Sequence, residues 1–194
     1  MAESVRIENV VITYPHLWEK HAPPGTETAK YGAEFILDPA KNADSLAKLD
    51  AAFRKVATDA GKGALVGMLK NPCQPGDQIN QLAATKGKNP RPEIAGKRVL
   101  RASDSNYQPV VVDQNMRPMG PDQAANVFGG CIVNAFVDLY WSANQTNPGI
   151  YAGIRGVQLV SNVGVERLGG GALSAEAMFQ PVAGAPASAD ESWL

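Results

Sequence analysis

The chain has 194 residues, of which 44% are hydrophobic and 19% are charged. This length and composition predict one globular domain with its own core, and they exclude a largely disordered protein. The net charge of −1 excludes a uniformly basic surface, so any site for nucleic acid must be a local patch. Cys73 and Cys131 are expected to be reduced core thiols. The charged N-terminus and the lack of a long apolar run argue against a signal peptide and a membrane span, so we expect a soluble, intracellular protein.

The first part of the chain has the alternating pattern of β-strands. Val5–Tyr14 is a β-rich run that Pro15 is expected to end, and Tyr31–Leu37 is a second such run. The polar, turn-rich segment between them, His16–Lys30, is predicted to be a loop.

An amphipathic helix is predicted to follow. Asp38 is expected to cap it and Pro39 to occupy its first position, while Gly61 supplies the stop. Its apolar residues recur at intervals of three and four, which predicts a helix packed on one end or face of a sheet. These residues are Leu46, Leu49, Phe53 and Val56.

The segment Gly61–Gly96 is the least regular part of the chain. Its prolines and glycines predict a long connection without regular structure, and such connections are usually functional or mobile. Lys97–Ser103 and Gln108–Asp113 then read as short strands.

The most regular stretch, Gly129–Ser161, predicts a β-hairpin with its turn at Asn144–Gly149. One side of its first strand is apolar, whereas the other side mixes aromatic and polar groups, as on a strand that is partly exposed or contacts a ligand. The apolar side comprises Cys131, Val133, Ala135, Val137, Leu139 and Trp141. Gly153 and Gly156 in the second strand are candidates for a bulge, which helps small sheets curl into barrels.

This order of elements predicts a mainly β fold, a small curled β-barrel with one amphipathic helix and long loop insertions. Residues 1–168 would form this domain, and residues 169–194 a flexible Gly/Ala/Pro linker with an acidic-aromatic tip. The tip either docks on the domain or contacts a partner. Its candidate partner-binding residues are Asp190, Glu191, Trp193 and Leu194.

Positive charge is concentrated between residues 86 and 101, where six basic residues accompany one acid, Glu93. Phosphate backbone is the commonest partner of such a patch, although an ordinary solvated loop has the same composition. The basic residues are Lys86, Lys88, Arg91, Lys97, Arg98 and Arg101.

Aromatic side chains accompany the basic segment. Phe136 and Tyr140 share one face of a predicted strand, although Phe136 would also suit a core. Tyr151 and Arg155 share a face of the next strand, and Tyr107 follows the basic strand. Each base of a single strand can stack on such a ring with a free energy of roughly 1–3 kcal/mol. A reader of duplex DNA would instead need a basic recognition helix, so the pattern favours single-stranded nucleic acid.

Signals of catalysis are weak. The sequence has no phosphate-binding, nucleophile-elbow or zinc-protease motif, and His16 and His21 have no clustered third ligand. Asp104, Asp113 and Asp138 would have to converge to form a nuclease-like metal site, and turn capping or strand termination explains Asp104 and Asp113 better. We predict no enzymatic activity, no metal and no cofactor.

Four segments carry a resemblance to a known family. They are VNAFVDLYW (Val133–Trp141), GIYAGIRGVQLV (Gly149–Val160), the opening NVVITYPHLWE, and YGAEFILDP before a helix. Over roughly Asn9–Gly170 the chain resembles bacteriophage single-stranded-DNA-binding proteins with an OB-fold core. The resemblance implies a five-stranded barrel enlarged by insertions, of which Gly61–Gly96 would be one. It also implies a protein that coats single strands during replication and recombination in the cytoplasm of the bacterial host.

Many single-strand binders end in an acidic, aromatic-tipped tail that recruits replication proteins and competes with DNA, and the terminal DESWL is similar in kind. We therefore predict a sequence-tolerant binder of single-stranded DNA, with replication proteins as partners of the tail, no membrane partner, and oligomers on DNA. The alternative is a phage structural or assembly β-barrel protein, which predicts large oligomers and negligible, salt-insensitive affinity for DNA.

Overall fold

The structure, a computed structural model, describes residues 2–22, 25, 28–144 and 147–168. The strands in these ranges are β1 (Ala2–His21), β2 (Lys30–Leu37), β3 (Cys73–Pro75), β4 (Arg98–Asp104), β5 (Val110–Val112), β6 (Ile132–Ser142) and β7 (Gly149–Ser161). The α-helices are α1 (Ala43–Asp59) and α2 (Gly76–Thr85), and short 3-10 helices span Gly63–Met68, Pro92–Ile94 and Pro121–Asn126. The predicted linker and tip, residues 169–194, lie outside the described residues.

Five of these strands close into a barrel. β1 pairs antiparallel with β2 and with β6, β2 pairs with β4, and β6 pairs with β7. β4 and β7 meet in parallel at Ala102 and Ala152, which closes the ring in the order β1-β2-β4-β7-β6. β3 adds to the edge of β4, and β5 lies parallel to β7. The predicted OB-fold-like β-barrel is confirmed.

The central hairpin has the two predicted strands, and its apolar side faces the barrel interior. Val133 and Val137 are fully buried, whereas Phe136 and Tyr140 on the opposite side are exposed. The pairing of β6 with β7 shifts at Arg155, which is the extra residue of a bulge next to Gly156. The bulge predicted near Gly156 is therefore present.

Helix α1 is confirmed in its body but not at its start. Its four apolar residues are buried in the core, and Gly61 follows its end with a φ of +68°. The predicted start at Asp38–Pro39 is wrong, because Asp38 instead forms a turn whose carbonyl accepts from the N–H of Asn42 at 2.7 Å. The Asn42 amide donates to the carbonyls of Glu8 and Asn9, so it fastens the start of the helix to β1.

Strand β1 continues beyond Pro15, contrary to the sequence prediction. Tyr14 adopts a φ of +48°, and the pairing with β2 shifts between Thr13 and His16. The irregularity accommodates Pro15, since a proline is compatible with a strand at a bulge. The loop predicted for His16–Lys30 is therefore wrong over His16–His21, which belong to β1.

The segment Gly61–Gly96 is more ordered than its sequence predicts. It contains α2 and β3 as well as two of the 3-10 helices. Helix α2 was not predicted from the sequence. Ile79 is its one buried large apolar residue, so it lacks the apolar stripe of an amphipathic helix. Ile79 packs with Ile36, Ile94 and Val99 in a small second core on the outer face of the barrel.

The seam between β4 and β7 is closed partly by this insertion. The carbonyl of Pro72 accepts from the N–H of Arg101 at 3.0 Å, and the carbonyl of Lys70 accepts from the N–H of Ile150 at 3.2 Å. Residues 70–75 thus satisfy backbone groups where the two barrel strands diverge.

Both cysteines are buried free thiols, as predicted. Burial raises the pKa of the Cys73 thiol to about 11, so it remains protonated at neutral pH. None of the helices in the described ranges is long and apolar enough to cross a membrane.

Candidate nucleic-acid interface

A cleft of about 630 Å³ lies on the outer face of β1, β2 and β4; we call it the outer cleft. It opens beside the β1–β2 connection, which is the place where OB-folds bind oligonucleotides. Its lining residues are Tyr14, His16, His21, Thr28, Lys30, Tyr31, Gly32, Ala33, Glu34, Arg101, Ala102 and Ser103.

Two backbone features shape the outer cleft. A Cβ at Gly32 would lie 2.9 Å from the carbonyl oxygen of Ala102, so only glycine allows β2 and β4 to approach this closely at the cleft floor. The positive φ of Tyr14 bends β1, and the Tyr14 ring is 43% exposed at the cleft. Local backbone geometry thus places an aromatic ring at a cleft whose floor is kept shallow by Gly32.

Cationic and aromatic groups alternate around the outer cleft. The Arg91 guanidinium lies 5.0 Å from the centre of the Tyr14 ring, and the Lys20 ammonium 5.4 Å from that of Tyr31. Lys30 is exposed at the rim. This combination can stack bases and neutralise phosphates.

The imidazole rings of His16 and His21 stack at 4.3 Å in the same cleft. Burial, and then the neighbouring His21, lower the pKa of His16. In the described part of the chain, no group of three or more His, Cys, Asp or Glu side chains could hold a metal ion.

One carboxylate, that of Glu34, joins two arginines in the outer cleft. It accepts from Arg91 Nη1 at 2.6 Å and from Arg101 Nε at 2.7 Å. Arg91 also pairs with Glu93 at 2.8 Å. Burial by itself would lower the pKa of Arg91, but the hydrogen bonds to Glu93 and Glu34 outweigh it and raise the pKa.

The insertion positions Arg91. The Asn80 side chain on α2 accepts from the N–H of Arg91 at 2.8 Å and donates to its carbonyl at 2.9 Å. Gly76 permits close packing, since a Cβ there would overlap the carbonyl of Ile94. Helix α2 therefore forms a wall that holds an arginine against the barrel.

A second group of aromatic and cationic residues surrounds the start of β7. The rings of Tyr140 and Tyr151 stack with centres 6.3 Å apart, and the Lys70 ammonium lies 4.4 Å from the centre of the Tyr151 ring. Tyr107, 68% exposed, lies 5.9 Å from the Arg155 guanidinium. These five residues form what we call the tyrosine patch.

Two carboxylates hold Arg155 in the tyrosine patch. Its Nε donates to Asp138 at 2.6 Å and its Nη1 to Asp104 at 2.7 Å. Asp104 also accepts from the N–H groups of Asn106 and Tyr107. Burial tends to raise the pKa of Asp104, but these backbone hydrogen bonds and Arg155 lower it overall. The turn-capping role predicted for Asp104 is confirmed.

The alternative metal site is not supported by these contacts. Asp104 and Asp138 are both engaged by Arg155. Asp113 instead accepts from the N–H groups of Asn115 and Arg117 in a separate turn.

The remaining predicted site residues are dispersed. Arg98 lies three positions from Arg101 on the same strand, and an odd spacing directs side chains to opposite faces. It pairs with Asp50 of α1 at 3.0 Å, away from the outer cleft. Lys86 and Lys88 are exposed just beyond α2, and Lys97 is half-buried before β4.

Phe136 is 45% exposed and lines a separate groove of about 310 Å³ with Val110 and Met116. It is therefore not part of the core. The four predicted tail residues, Asp190, Glu191, Trp193 and Leu194, lie outside the described residues.

Sequence reasoning missed most of the outer cleft. The overlooked residues are Tyr14, His16, Lys20, His21, Lys30, Tyr31 and Glu34. Tyr14 and Tyr31 flank the first connection of a predicted OB-fold, and this position could have identified them as candidate binding residues. This feature was weak because Lys20 and Lys30 are distant in sequence from the basic segment, residues 86–101.

The sequence matches, over residues 3–191, the family described as Enterobacter phage Enc34, ssDNA-binding protein. It is also similar to protein p50 of Acyrthosiphon pisum secondary endosymbiont phage 1. That similarity is 28% identity over 174 residues, covering 89% of this chain and 90% of that protein.

The fold is similar to that of the single-stranded DNA-binding protein from bacteriophage Enc34. Its structure in complex with ssDNA has a TM-score of 0.70 and 20% identity, covering 86% of this chain and 89% of that chain. A further structure of the same protein has a TM-score of 0.68 and 20% identity, covering 91% of this chain and 90% of that chain. The likeness extends over most of both chains and concerns the fold.

Proposed function

This chain belongs to the family of the Enterobacter phage Enc34 single-stranded-DNA-binding protein, and we propose that it binds single-stranded DNA without sequence preference. In this role it coats and protects single strands during phage replication and recombination, in the cytoplasm of the host. It acts by binding alone, without catalysis.

The observation that carries this proposal is the outer cleft. It combines two tyrosine rings, Arg101 and a rim lysine, with Arg91 beside the Tyr14 ring, on the face that OB-folds use for oligonucleotides. Stacking contributes roughly 1–3 kcal/mol per base and tolerates any sequence, because every base has an aromatic face. Arg101 and Lys30 are exposed enough to contact phosphates directly.

The tyrosine patch extends this surface. Ala102 at the floor of the outer cleft pairs with Ala152, and Tyr151 is the neighbour of Ala152 on β7. A single DNA strand that leaves the outer cleft across β4 therefore reaches Tyr151 and its stacked partner Tyr140. In this path Tyr107 offers a further stacking surface.

The basic residues take different roles in the proposal. Lys86 and Lys88 lie exposed beyond α2 and supply long-range attraction for the phosphate backbone. Arg98 and Arg155 are held by carboxylates and position neighbouring elements instead of phosphates. Lys97 and Phe136 lie outside the proposed path.

The proposal also covers the domain boundary, the C-terminal tail and the binding of several copies to one DNA strand. Residues 1–168 form the DNA-binding domain, and the acidic-aromatic tip of residues 169–194 contacts a replication protein. Several copies bind side by side on one strand.

The test is fluorescence anisotropy of a labelled oligo-dT titrated with the protein at several salt concentrations, with a duplex of equal length alongside. We expect tight binding of the single strand, weak binding of the duplex, and a log-log salt slope of about −0.7 for each phosphate contacted. Loss of binding at low salt, both in the whole chain and after removal of the last five residues, contradicts the proposal. That result, together with large oligomers, favours the structural or assembly protein.

A further inference from the structure

The carboxylate of Glu34 lies where the proposed function requires phosphates to bind. Its side chain is 17% exposed and lines the outer cleft. Each of its two oxygens accepts from a different arginine, Oε2 from Arg91 and Oε1 from Arg101. A carboxylate with two oxygens presents to an arginine much the same acceptors as a phosphate group.

The two arginines differ in how firmly they are held. Arg91 is 19% exposed, has a second carboxylate partner in Glu93, and is fixed by Asn80 through its backbone. Arg101 is 53% exposed, and Glu34 is its one ion-pair partner within residues 2–22, 25, 28–144 and 147–168. Arg101 is therefore the arginine that can exchange one anion for another at little structural cost.

We propose that Glu34 is a resident competitor of DNA, whose carboxylate occupies in the free protein the position on Arg101 that a phosphate takes in the complex. This inference rests on the proposed function. Binding a strand then requires Arg101 to leave Glu34, while Arg91 keeps both of its carboxylates. Glu34 weakens the affinity in two ways, by occupying Arg101 and by repelling the incoming phosphate.

The position of Glu34 also explains why a carboxylate is present in a cleft for an anion. It pairs directly opposite Arg101 in the register of β2 and β4, and it helps to hold the partly buried guanidinium of Arg91. The same group that orders both arginines of the free protein thus limits how tightly Arg101 binds DNA. A protein that coats strands must also be removed from them, and a competing internal anion promotes release.

The test compares Glu34→Gln with Glu93→Gln, a matched control. Both substitutions remove one carboxylate charge next to Arg91, and both side chains are similarly buried, at 17% and 18% exposed. Only Glu34 contacts Arg101. By anisotropy with oligo-dT at low salt, we expect E34Q to bind about tenfold more tightly than the wild type and E93Q to differ by less than about twofold.

A double-mutant cycle identifies the arginine involved. In an Arg101→Gln background, E34Q should lose most of its gain in affinity, because no arginine is left to be released. If the wild type binds oligo-dT but E34Q binds no more tightly than the wild type or E93Q, the role of Glu34 is refuted and the proposed function stands. If the wild type does not bind, the proposed function fails and the inference fails with it.

A measurement on the wild-type protein avoids dependence on the folding of the variants. The side-chain Nε–H resonances of Arg101 and Arg91 can be followed by NMR during titration with oligo-dT, after assignment through the side-chain carbons of the isotope-labelled wild-type protein. We expect the Arg101 signal to shift as its partner changes from Glu34 to phosphate, while the Arg91 signal, held by Glu93, shifts little. An Arg101 signal that is unchanged at saturation refutes the exchange.

Discussion

The outer cleft and the tyrosine patch contain the same kinds of side chain but balance their charges differently. In the outer cleft, Glu34 serves both Arg91 and Arg101, and exposed lysines lie nearby. The tyrosine patch has more carboxylates per arginine, since two of them hold Arg155 alone, whereas Glu34 and Glu93 serve two arginines at the outer cleft. Aromatic rings on a sheet therefore indicate where bases can stack, whereas the number of carboxylates per cation determines where phosphates can lie.

This comparison predicts that the outer cleft contributes more to DNA affinity than the tyrosine patch does. Removing the aromatic rings of each region tests this prediction most strongly. Tyr14→Ala combined with Tyr31→Ala should weaken oligo-dT binding roughly 100-fold, because two stacking contacts are lost. Tyr140→Ala combined with Tyr151→Ala should cost about tenfold or less in the same anisotropy assay. Equal losses would contradict the ranking. Circular dichroism and thermal unfolding of each variant provide the folding control.

Two arginines of β4 sharpen the comparison within one strand. Arg101→Gln should weaken binding about tenfold and reduce the magnitude of the salt slope by about 0.7, since one phosphate contact is lost. Arg98→Gln should leave the affinity within about twofold and instead lower the free energy of unfolding by about 1 kcal/mol, because Asp50 loses its partner. Titrations at several salt concentrations and urea unfolding measure the two effects. The reverse pattern would place Arg98 in the interface.

The tyrosine patch should respond to Arg155→Gln through stability more than through affinity. The substitution leaves two partly buried carboxylates side by side, which should cost about 1–2 kcal/mol in urea unfolding at pH 7. The pKa of Asp104 is lowered in the folded protein, so its stabilising contribution is present above its unfolded pKa and is lost as the pH falls through the folded pKa. The gap between wild type and variant should therefore close in acid. A large loss of DNA affinity at unchanged stability would show that Arg155 contacts phosphate.

The smallest effect concerns pH. Burial and His21 lower the pKa of His16 in the free protein below its ordinary value of 6.5. Phosphates in the outer cleft would raise that pKa, so the complex binds more protons than the free protein, and affinity should rise about twofold to threefold from about pH 7.5 to about pH 6. His16→Gln should flatten this dependence. In the free protein the same lowered pKa predicts that stability is full above pH 6.5 and is lost as the pH falls through the folded pKa.

The barrel was accessible from sequence because its signals are local. Alternation along β6 separates Val133 and Val137 from Phe136 and Tyr140 without knowledge of any partner strand, and the spacing of Leu49 and Phe53 does the same for α1. Helix α2 gave no such signal, because only Ile79 of its large side chains is needed to attach it to the barrel. Pro15 led to a wrong prediction, because β1 accommodates the proline through the irregular backbone at Tyr14 and continues beyond it.

The charge pattern of the outer cleft could not be predicted from local sequence patterns. The excess of positive charge over residues 86–101 is a property of the linear chain, and folding brings Glu34 onto Arg91 and Arg101 and Asp50 onto Arg98. These contacts join residues 57, 67 and 48 positions apart, so no local window contains them. Tyr14 and Tyr31 could be predicted as strand residues, but their place in one cleft follows from strand pairing.

The insertion leaves and re-enters the barrel at adjacent points: Pro75 pairs with Arg98, and the N–H of Gly76 donates to the carbonyl of Lys97 at 2.7 Å. The residues between these points can consequently lengthen, shorten or change without moving any barrel strand. Because they carry the exposed Lys86 and Lys88, changes in this segment can alter the long-range attraction for DNA while the barrel strands keep their pairing. Relatives of this protein should therefore diverge most in length between β3 and β4, and grafting that segment from one relative to another should transfer binding strength with it.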